Sequence, residues 1–260
     1  MIGVDFGFGA VEQELWRLLF VMTRIGAALL AAPFFGAASV PVQLRVAIAG
    51  AVAVMVCAWS PVQAPDALLS LRGMLMVAGE VLVGLALGFV LQILFAAPVI
   101  AAEVISGSMG LSMAVTNDPA TGERSTALGQ YFTIVLVLIF LSLGAHLQFL
   151  SLVVESYRVF PPGETWLGAD RRHQVVAFGG KMFALAVAIA LPVVMILLLV
   201  QFVTGVLSRS APSLNLFALG LPAGVLAGIA ALIAAAPLLF DQLMDLSGMA
   251  VNDSASLLIQ

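Results

Sequence analysis

Five ionisable side chains lie inside long apolar stretches of this 260-residue sequence, and their chemistry most needs an explanation. They are Arg24, Glu80, Glu103, His146 and Lys181. A charge surrounded by hydrocarbon is costly, so each side chain is expected to face a partner or a water-filled path. A Glu80–Lys181 pair would neutralise two of them, and a proton relay through Glu80, Glu103 and His146 is an alternative. Pairing with neighbouring helices or subunits is the simplest interpretation.

The sequence lacks the signatures of common enzymes and metal sites. It has no His-Glu-x-x-His motif and no cysteine cluster, and its single cysteine, Cys57, lies in an apolar run as a small hydrophobe. The run from Gly110 to Met113 reads Gly-Leu-Ser-Met, so it lacks the last glycine of the Gly-x-Ser-Gly motif of rhomboid-type proteases. We therefore expect no catalysis, no cofactor and no metal.

One polar, glycine-rich stretch, residues 105–126, separates two long apolar runs near the middle of the chain. Gly107 and Gly110 loosen its backbone, and Met109 and Met113 supply flexible, polarizable side chains. The sequence Asn117-Asp118-Pro119 is typical of a turn. A deformable seal needs such chemistry, whereas a plain loop between two helices is the simpler interpretation on composition alone.

The composition places these residues in a helical membrane protein. Hydrophobic residues make up 62% of the chain and charged ones 9%, whereas soluble domains have roughly 25% charged residues. A net charge of −4 argues against a nucleic-acid partner. Six apolar runs without strand-like alternation predict an all-α protein with a single membrane domain, residues 1–260. The runs are about Glu14–Ala32, Leu44–Trp59, Met74–Ile105, Ala127–Val154, Val175–Val206 and Leu221–Phe240.

The third and fifth runs are too long for simple spans. Each has ~32 residues, or ~48 Å of helix at ~1.5 Å per residue, against a hydrocarbon core ~30 Å thick. We therefore expect either steeply tilted or broken helices, with Pro98 and Pro192 as candidate breakpoints. Residues 160–173 are expected to form a loop, and residues 241–260 a short acidic tail.

Glycine pairs at four-residue spacing predict two places where helices approach closely. They are Gly84 with Gly88, and Gly224 with Gly228. Because glycine is common in membrane helices, chance spacing explains such pairs about equally well. Glutamines within the apolar runs are expected to hydrogen-bond between helices. They are Gln92, Gln130 and Gln201.

Four ordered blocks of sequence resemble the FliR family, the flagellar biosynthesis membrane proteins of the type III export gate. They are RIGAALLAAPFFGAASVPVQLR (24–45), AEVISGSMGLSMAVTNDP (102–119), GAHLQFLSLVVESYRVFP (144–161) and LSRSAPSLNLFALGLP (207–222). Ser108 stands where family members often have glutamine. The Gly220-Leu221-Pro222 ending is more typical of flagellar members than of the injectisome homologues, which remain an alternative.

The resemblance implies a non-enzymatic, multi-pass protein of the bacterial inner membrane, within the flagellar basal body. Its hydrophobic helices, about six in number, would pack as hairpins inside a hetero-oligomeric helical assembly. FliP- and FliQ-like gate subunits would be its partners, with contacts to the switch and export-gate membrane proteins and to lipid. Unfolded flagellar proteins would pass through the shared pore.

The resemblance also implies that a loop plugs this pore. The residues assigned to the plug are Ser106, Gly107, Ser108, Met109, Gly110, Leu111, Ser112, Met113, Asp118 and Pro119. We expect Gly107–Met113 to form the seal and Asn117–Thr126 to return the chain to its next helix.

A second set of residues is predicted to brace the fold or to contact partners. Its members are Arg24, Pro33, Pro41, Arg45, Glu80, Lys181, Arg209, Pro212, Asn215, Phe217, Gly220 and Pro222. Pro212 and Pro222 are expected to bound a rigid loop. Two hypotheses of other kinds stay open, namely a proton- or solute-coupled transporter and an assembly scaffold outside the pore.

Overall fold

The computed structural model describes residues 9–37, 39–59, 62, 70–111, 116–117, 124–163, 169–210 and 216–259. Within these ranges the chain is all-α apart from two short strands that pair antiparallel, β1 (Thr116–Asn117) and β2 (Arg124–Ser125). The helices are α1 (Ala10–Ala31), α2 (Val42–Trp59), α3 (Leu71–Ser108), α4 (Ala127–Ser142), α5 (Ala145–Val159), α6 (Ala169–Ser210) and α7 (Leu216–Ile259). The predicted all-α class is confirmed.

Four stretches of helix are long and apolar enough to cross a membrane. They are Val42–Trp59, Leu71–Ser108, Val176–Leu207 and Pro222–Ala255. The pair α4 and α5 adds a fifth if the two helices together form one broken span. Helix α1 is not in this set, because Glu12, Glu14, Arg17 and Arg24 make it too polar. The six predicted apolar runs thus correspond to four or five candidate spans.

The predicted breakpoints at Pro98 and Pro192 are wrong. Pro98 lies inside the continuous helix α3, and Pro192 lies inside α6. Each proline removes one N–H from the helix ladder, and long apolar helices tolerate that loss where neighbouring groups compensate. The break occurs instead between α4 and α5, where Gly144 adopts a left-handed backbone with φ 67°. Glycine adopts this conformation without the steric penalty of a Cβ atom.

Three long helices extend beyond their predicted ends. Helix α6 begins at Ala169, inside the predicted loop 160–173, and α3 continues to Ser108. Helix α7 begins at Leu216, so Pro222 lies inside it and does not end a rigid loop. It then continues to Ile259, so the predicted tail from residue 241 is helical. Buried Leu239, Leu243 and Leu246, spaced four and three residues apart, give the segment the apolar stripe of a packed helix.

The chain forms two compact units, each assembled from separate parts of the sequence. Unit 1 contains residues 1–93, 144–178 and 249–260, and unit 2 contains residues 94–143 and 179–248. In unit 1, α1 packs against α2 and against the first part of α3. Its fully buried apolar side chains include Phe20, Ile25, Leu29, Leu87, Leu91, Phe149 and Val153.

Unit 2 has its own core around the end of α3 and the middle of α6 and α7. Its buried members are Ala101, Ala102, Ile105, Met109, Phe132, Ile189, Ala190, Val193, Leu197, Ala231, Ala235 and Leu239. Phe95 and Phe140 also meet edge to face within this unit, with ring centroids 5.2 Å apart. The core therefore includes Met109, which the sequence assigns to the polar loop.

Candidate functional site

A buried arginine holds unit 1 together. Arg24 projects from α1 and is 1% exposed. Its Nε donates to Oε2 of Glu80 at 2.8 Å and its Nη2 to Oε1 at 3.0 Å. Nη1 donates to the carbonyl of Ser156 at 2.8 Å and to its Oγ at 3.2 Å, and Nη2 also donates to the carbonyl of Phe160 at 3.0 Å. All five N–H donors of the guanidinium are thereby used.

Further contacts complete this arginine centre. The Cζ atom of Arg24 lies 4.2 Å from the centroid of the Tyr157 ring, a cation–π geometry. The Tyr157 hydroxyl donates to the carbonyl of Val21 at 2.6 Å, so it ties α5 to α1. The backbone N–H of Gly163 donates to Oε1 of Glu80 at 3.3 Å. One ion pair thus joins α1, α3, α5 and the turn after α5.

The glycine pair of α3 lets α1 come close enough for this pairing. A Cβ atom on Gly84 would collide with the carbonyl oxygen of Arg24 and would lie 2.9 Å from the Cβ of Ala27. A Cβ on Gly88 would meet Ala28 and Ala31 in the same way. The predicted close approach at Gly84 and Gly88 is therefore confirmed.

The structure gives two of the flagged carboxylates structural partners. Glu80 pairs with Arg24, so the alternative Glu80–Lys181 pair is not the one formed. In unit 2, Oε1 of Glu103 accepts from the backbone N–H of Thr126 at 3.0 Å. Both acids are thus engaged in hydrogen bonds that brace helices, whereas a proton relay needs groups that are free to exchange protons.

The turn between α1 and α2 contains three predicted bracing residues. Helix α1 ends before Pro33, and Ala32 takes the extended ψ of 135° that a following proline favours. Pro41 immediately precedes α2, and its carbonyl accepts from the N–H of Leu44 at 3.1 Å. Nη2 of Arg45 donates to the carbonyls of Ala37 and Val40 within the turn. Pro33, Pro41 and Arg45 therefore shape a helical hairpin.

The first predicted plug residues belong to the last turn of α3. Ser106 is buried, and its Oγ has no hydrogen-bond partner within the described ranges. Gly107 is exposed, and the hydroxyl of Ser108 donates to the carbonyl of Val104 at 2.9 Å. Gly110, with φ 81°, then ends the helix, as glycine commonly does. The polar loop therefore begins about four residues later than the sequence suggested.

Met109 is seated against two glycines of α7. It is 4% exposed and belongs to the unit 2 core. A Cβ atom on Gly228 would overlap the Met109 side chain, lying 2.6 Å from its Cε and Sδ, and one on Gly224 would lie 3.3 Å from the Met109 carbonyl oxygen. The predicted close approach at Gly224 and Gly228 is confirmed, with a methionine side chain filling the space. Leu111 packs partly against the same core.

Hydrogen bonds fix both ends of the connection between α3 and α4. At the α3 end, Nε2 of Gln201 on α6 donates to the carbonyl of Ser108 at 2.9 Å, which is one of the predicted interhelical glutamine contacts. At the α4 end, Thr126 caps the helix because its Oγ1 accepts from the N–H of Gly129 at 3.1 Å. Between them Thr116 pairs with Ser125 and Asn117 with Arg124, as the predicted chain reversal requires.

The remaining predicted residues do not gather at one site. Lys181 and Arg209 lie on α6 and are exposed, while Gly220 and Pro222 lie in the first turns of α7. Phe217 is also in α7, but its side chain lies outside what the structure describes. Predicted residues that fall outside the described ranges are Ser112, Met113, Asp118, Pro119, Pro212 and Asn215.

Two contributors to the arginine centre were not assigned from the sequence. Tyr157 supplies an aromatic face and a hydroxyl, and the turn at Phe160 to Gly163 supplies a carbonyl and an N–H. The only sequence signal is the aromatic ring and hydroxyl of Tyr157 next to Ser156 in α5, a helix that also has exposed charged residues. Across the described residues, no group of three or more His, Cys, Asp or Glu side chains could hold a metal ion.

Long apolar helices, a buried ion pair and a glycine-bounded connection between α3 and α4 are the features of a multi-helix membrane protein. Comparison with known families then places it. Residues 15–249 match the family model described as bacterial export proteins, family 1. The chain belongs to this family.

Similar proteins carry a consistent name. The flagellar biosynthetic protein FliR of Bacillus subtilis is 31% identical over 244 residues, covering 92% of this chain and 93% of the relative. FliR of Escherichia coli K12 is 30% identical over 224 residues, covering 86% and 84%. FliR of Pectobacterium carotovorum is 28% identical over 243 residues, covering 91% of each. The resemblance found in the sequence blocks is therefore confirmed over most of the chain.

Proposed function

We propose that this chain is a non-enzymatic subunit of the flagellar type III export gate. With FliP- and FliQ-like subunits it would form a protein-conducting pore in the bacterial inner membrane, at the flagellar basal body. The family match over residues 15–249 carries the proposal, and the flagellar name of the relatives supports it. In this proposal the chain is a single membrane domain, residues 1–260, which is supported by the contribution of α3, α6 and α7 to both units.

The exposed apolar surface supports the presence of protein partners. Along α6, exposed large apolar side chains run from Val176, 76% exposed, to Leu207, 51% exposed. This distance is ~46 Å at ~1.5 Å per residue, whereas the hydrocarbon core is ~30 Å thick. Tilt within the usual range of ~0–40° does not bring the whole length into lipid. Neighbouring gate subunits would cover the part that lipid does not.

We assign the plug to the connection between α3 and α4. In our proposal, residues 106–119 close the pore, and unfolded flagellar proteins pass when they part. Fixed ends suit such a segment, because Ser108 is bonded to Gln201 and Thr126 to Glu103. Because Met109 lies in the unit 2 core, residues 106–109 hold the start of this segment against unit 2 in the closed pore.

The proposal is tested in two steps in a motile bacterium whose own FliR-family gene is replaced by this chain. The chain is first purified in mild detergent, and we expect FliP- and FliQ-like subunits to co-purify. A stable monomer that never binds them would exclude a gate subunit.

Deletion of residues 107–113 then tests the plug. We expect an intact complex that leaks ions when expressed in cells. Loss of assembly without leakage would instead indicate a scaffold outside the pore.

The arginine centre gives less support to the transporter hypothesis than to the gate hypothesis. Glu80 is 3% exposed and accepts hydrogen bonds from Arg24 and Gly163, so it is not presented to a solute path. Neutralising Glu103 or Lys181 and measuring solute uptake in vesicles separates the two hypotheses. Uptake that depends on either residue would favour a transporter.

A further inference from the structure

The side chain of Met109 fills a notch in α7 that two glycines create. The notch consists of Gly224 and Gly228, which lie one helical turn apart and face Met109. All three of the Met109 side-chain atoms Cγ, Sδ and Cε lie where a Cβ at Gly228 would be. A side chain at position 228 would require the Met109 side chain to shift from its seat.

The backbone around Met109 suits a contact that can be released. Gly107 precedes it with open space around its Cβ position, and Gly110 follows it in a left-handed conformation. Glycines on both sides allow the backbone to pivot at low cost. Methionine is flexible, so it can leave and re-enter a notch without rearrangement of the helix that forms it.

The described residues 107–111 also make a polar contact and a partly buried apolar contact in unit 2. The carbonyl of Ser108 accepts one hydrogen bond from Gln201, whose side chain is itself exposed, and Leu111 is only partly buried. Met109 is therefore the most buried apolar side chain among the described residues 107–111.

We propose that Met109 is a latch: its insertion between Gly224 and Gly228 holds the end of α3 against α7 in the closed pore, and its withdrawal accompanies opening. This inference rests on the proposed function, since it assigns the closing step to one side chain. The latch makes opening reversible, because the notch persists on α7 when the methionine leaves.

Substitutions on both sides of the contact test the latch in the assembled complex in cells. Met109→Ala removes the inserted atoms, and Gly228→Ala places a methyl group where they lie. Truncating a buried methionine to alanine should shift the equilibrium between the closed and the open pore toward the open state by at least about thirty-fold. We expect each variant to assemble and to increase the ion leak markedly.

The double variant Met109→Ala/Gly228→Ala should leak no more than Met109→Ala, because the added methyl group then enters vacated space. Leak increases that simply combine would show that the two residues do not interact. Gly248→Ala is the matched control. It makes the same change on the same helix, at a position with nothing within 4 Å of the added Cβ.

A cross-link provides a readout that does not depend on leakage. In a Cys57→Ala background, Met109→Cys/Gly228→Cys would form a disulfide under mild oxidation and lock the latch. We expect the locked complex to stop exporting flagellar subunits and to resume when a reductant is added. Export that continues at the unlocked rate in the cross-linked complex would overturn the proposal.

The deletion of residues 107–113 separates failure of the latch from failure of the proposed function. If the deletion leaks but both single variants stay tight, the plug stands and the latch is refuted. If the deletion assembles and stays tight, the proposed plug itself fails, and the latch fails with it.

Discussion

Replacing Glu80 with alanine should destabilise unit 1 more than any other single carboxylate substitution within it. The change leaves Arg24, 1% exposed, charged and without its ionic partner. It removes the acceptor of two charge-assisted hydrogen bonds donated by the guanidinium and of one donated by the N–H of Gly163. Breaking a buried ion pair by removing one partner costs about 3–5 kcal/mol. For a protein of this size that corresponds to a loss of roughly 6–20 °C in Tm.

Thermal unfolding of the purified chain or its complex in detergent provides the measurement. The control is Glu155→Ala, which breaks the Arg158–Glu155 pair in the same unit, whose side chains are 70% and 49% exposed respectively. An exposed pair contributes about 0–1 kcal/mol, so this control should change Tm by no more than a few degrees. Equal losses from Glu80→Ala and Glu155→Ala would refute the reasoning from burial.

A double variant distinguishes the cost of a stranded charge from the value of the pair. In Arg24→Met/Glu80→Met both charges leave, and apolar side chains of similar length replace them. Such replacements are often neutral or stabilising, although the carbonyls of Ser156 and Phe160 lose their donor here. We expect the double variant to recover much of the Tm lost in Glu80→Ala.

Three further changes test the local geometry. Gly84→Ala should lower Tm and the yield of folded chain, because its Cβ collides with α1, whereas Gly79→Ala on the same helix has nothing within 4 Å and should be neutral or slightly stabilising. Thr126→Ala should cost about 1 kcal/mol through loss of the α4 cap and speed amide exchange at Gly129, while Thr126→Ser keeps the cap and should not. Gly144→Ala should cost about 1–2 kcal/mol, because φ is 67° there, and a Tm equal to that of the native chain would contradict the left-handed geometry.

The helices were predictable because hydrophobic runs are a local property of the sequence. The glycine spacings at Gly84 and Gly88 also correctly indicated close packing, since a missing Cβ is visible in the sequence. The prolines, in contrast, led to a prediction of helix breaks that the structure does not contain. Pro98 and Pro192 each remove one hydrogen bond, but a helix of 38 or 42 residues retains the rest of its ladder.

The partner of Glu80 could not be predicted, because the pairing depends on tertiary structure. Arg24 lies 56 residues away along the chain, and the carbonyls of Ser156 and Phe160 that share its donors lie 132 and 136 residues from it. Backbone carbonyls have no sequence signature at all. The contact of Met109 with α7 could not be predicted for the same reason. A flexible apolar side chain is equally suited to a pore seal and to a packed core, so its type does not distinguish the two positions.

The pairing of Arg24 with Glu80 has an electrical consequence. A membrane potential does work of about 2.3 kcal/mol per elementary charge per 100 mV on any charge that moves across it. Arg24 and Glu80 carry opposite charges and are held together, so a displacement that carries both moves no net charge. The pair therefore contributes no net charge movement when it moves as a unit, and a voltage dependence of export would have to arise from charges outside this centre.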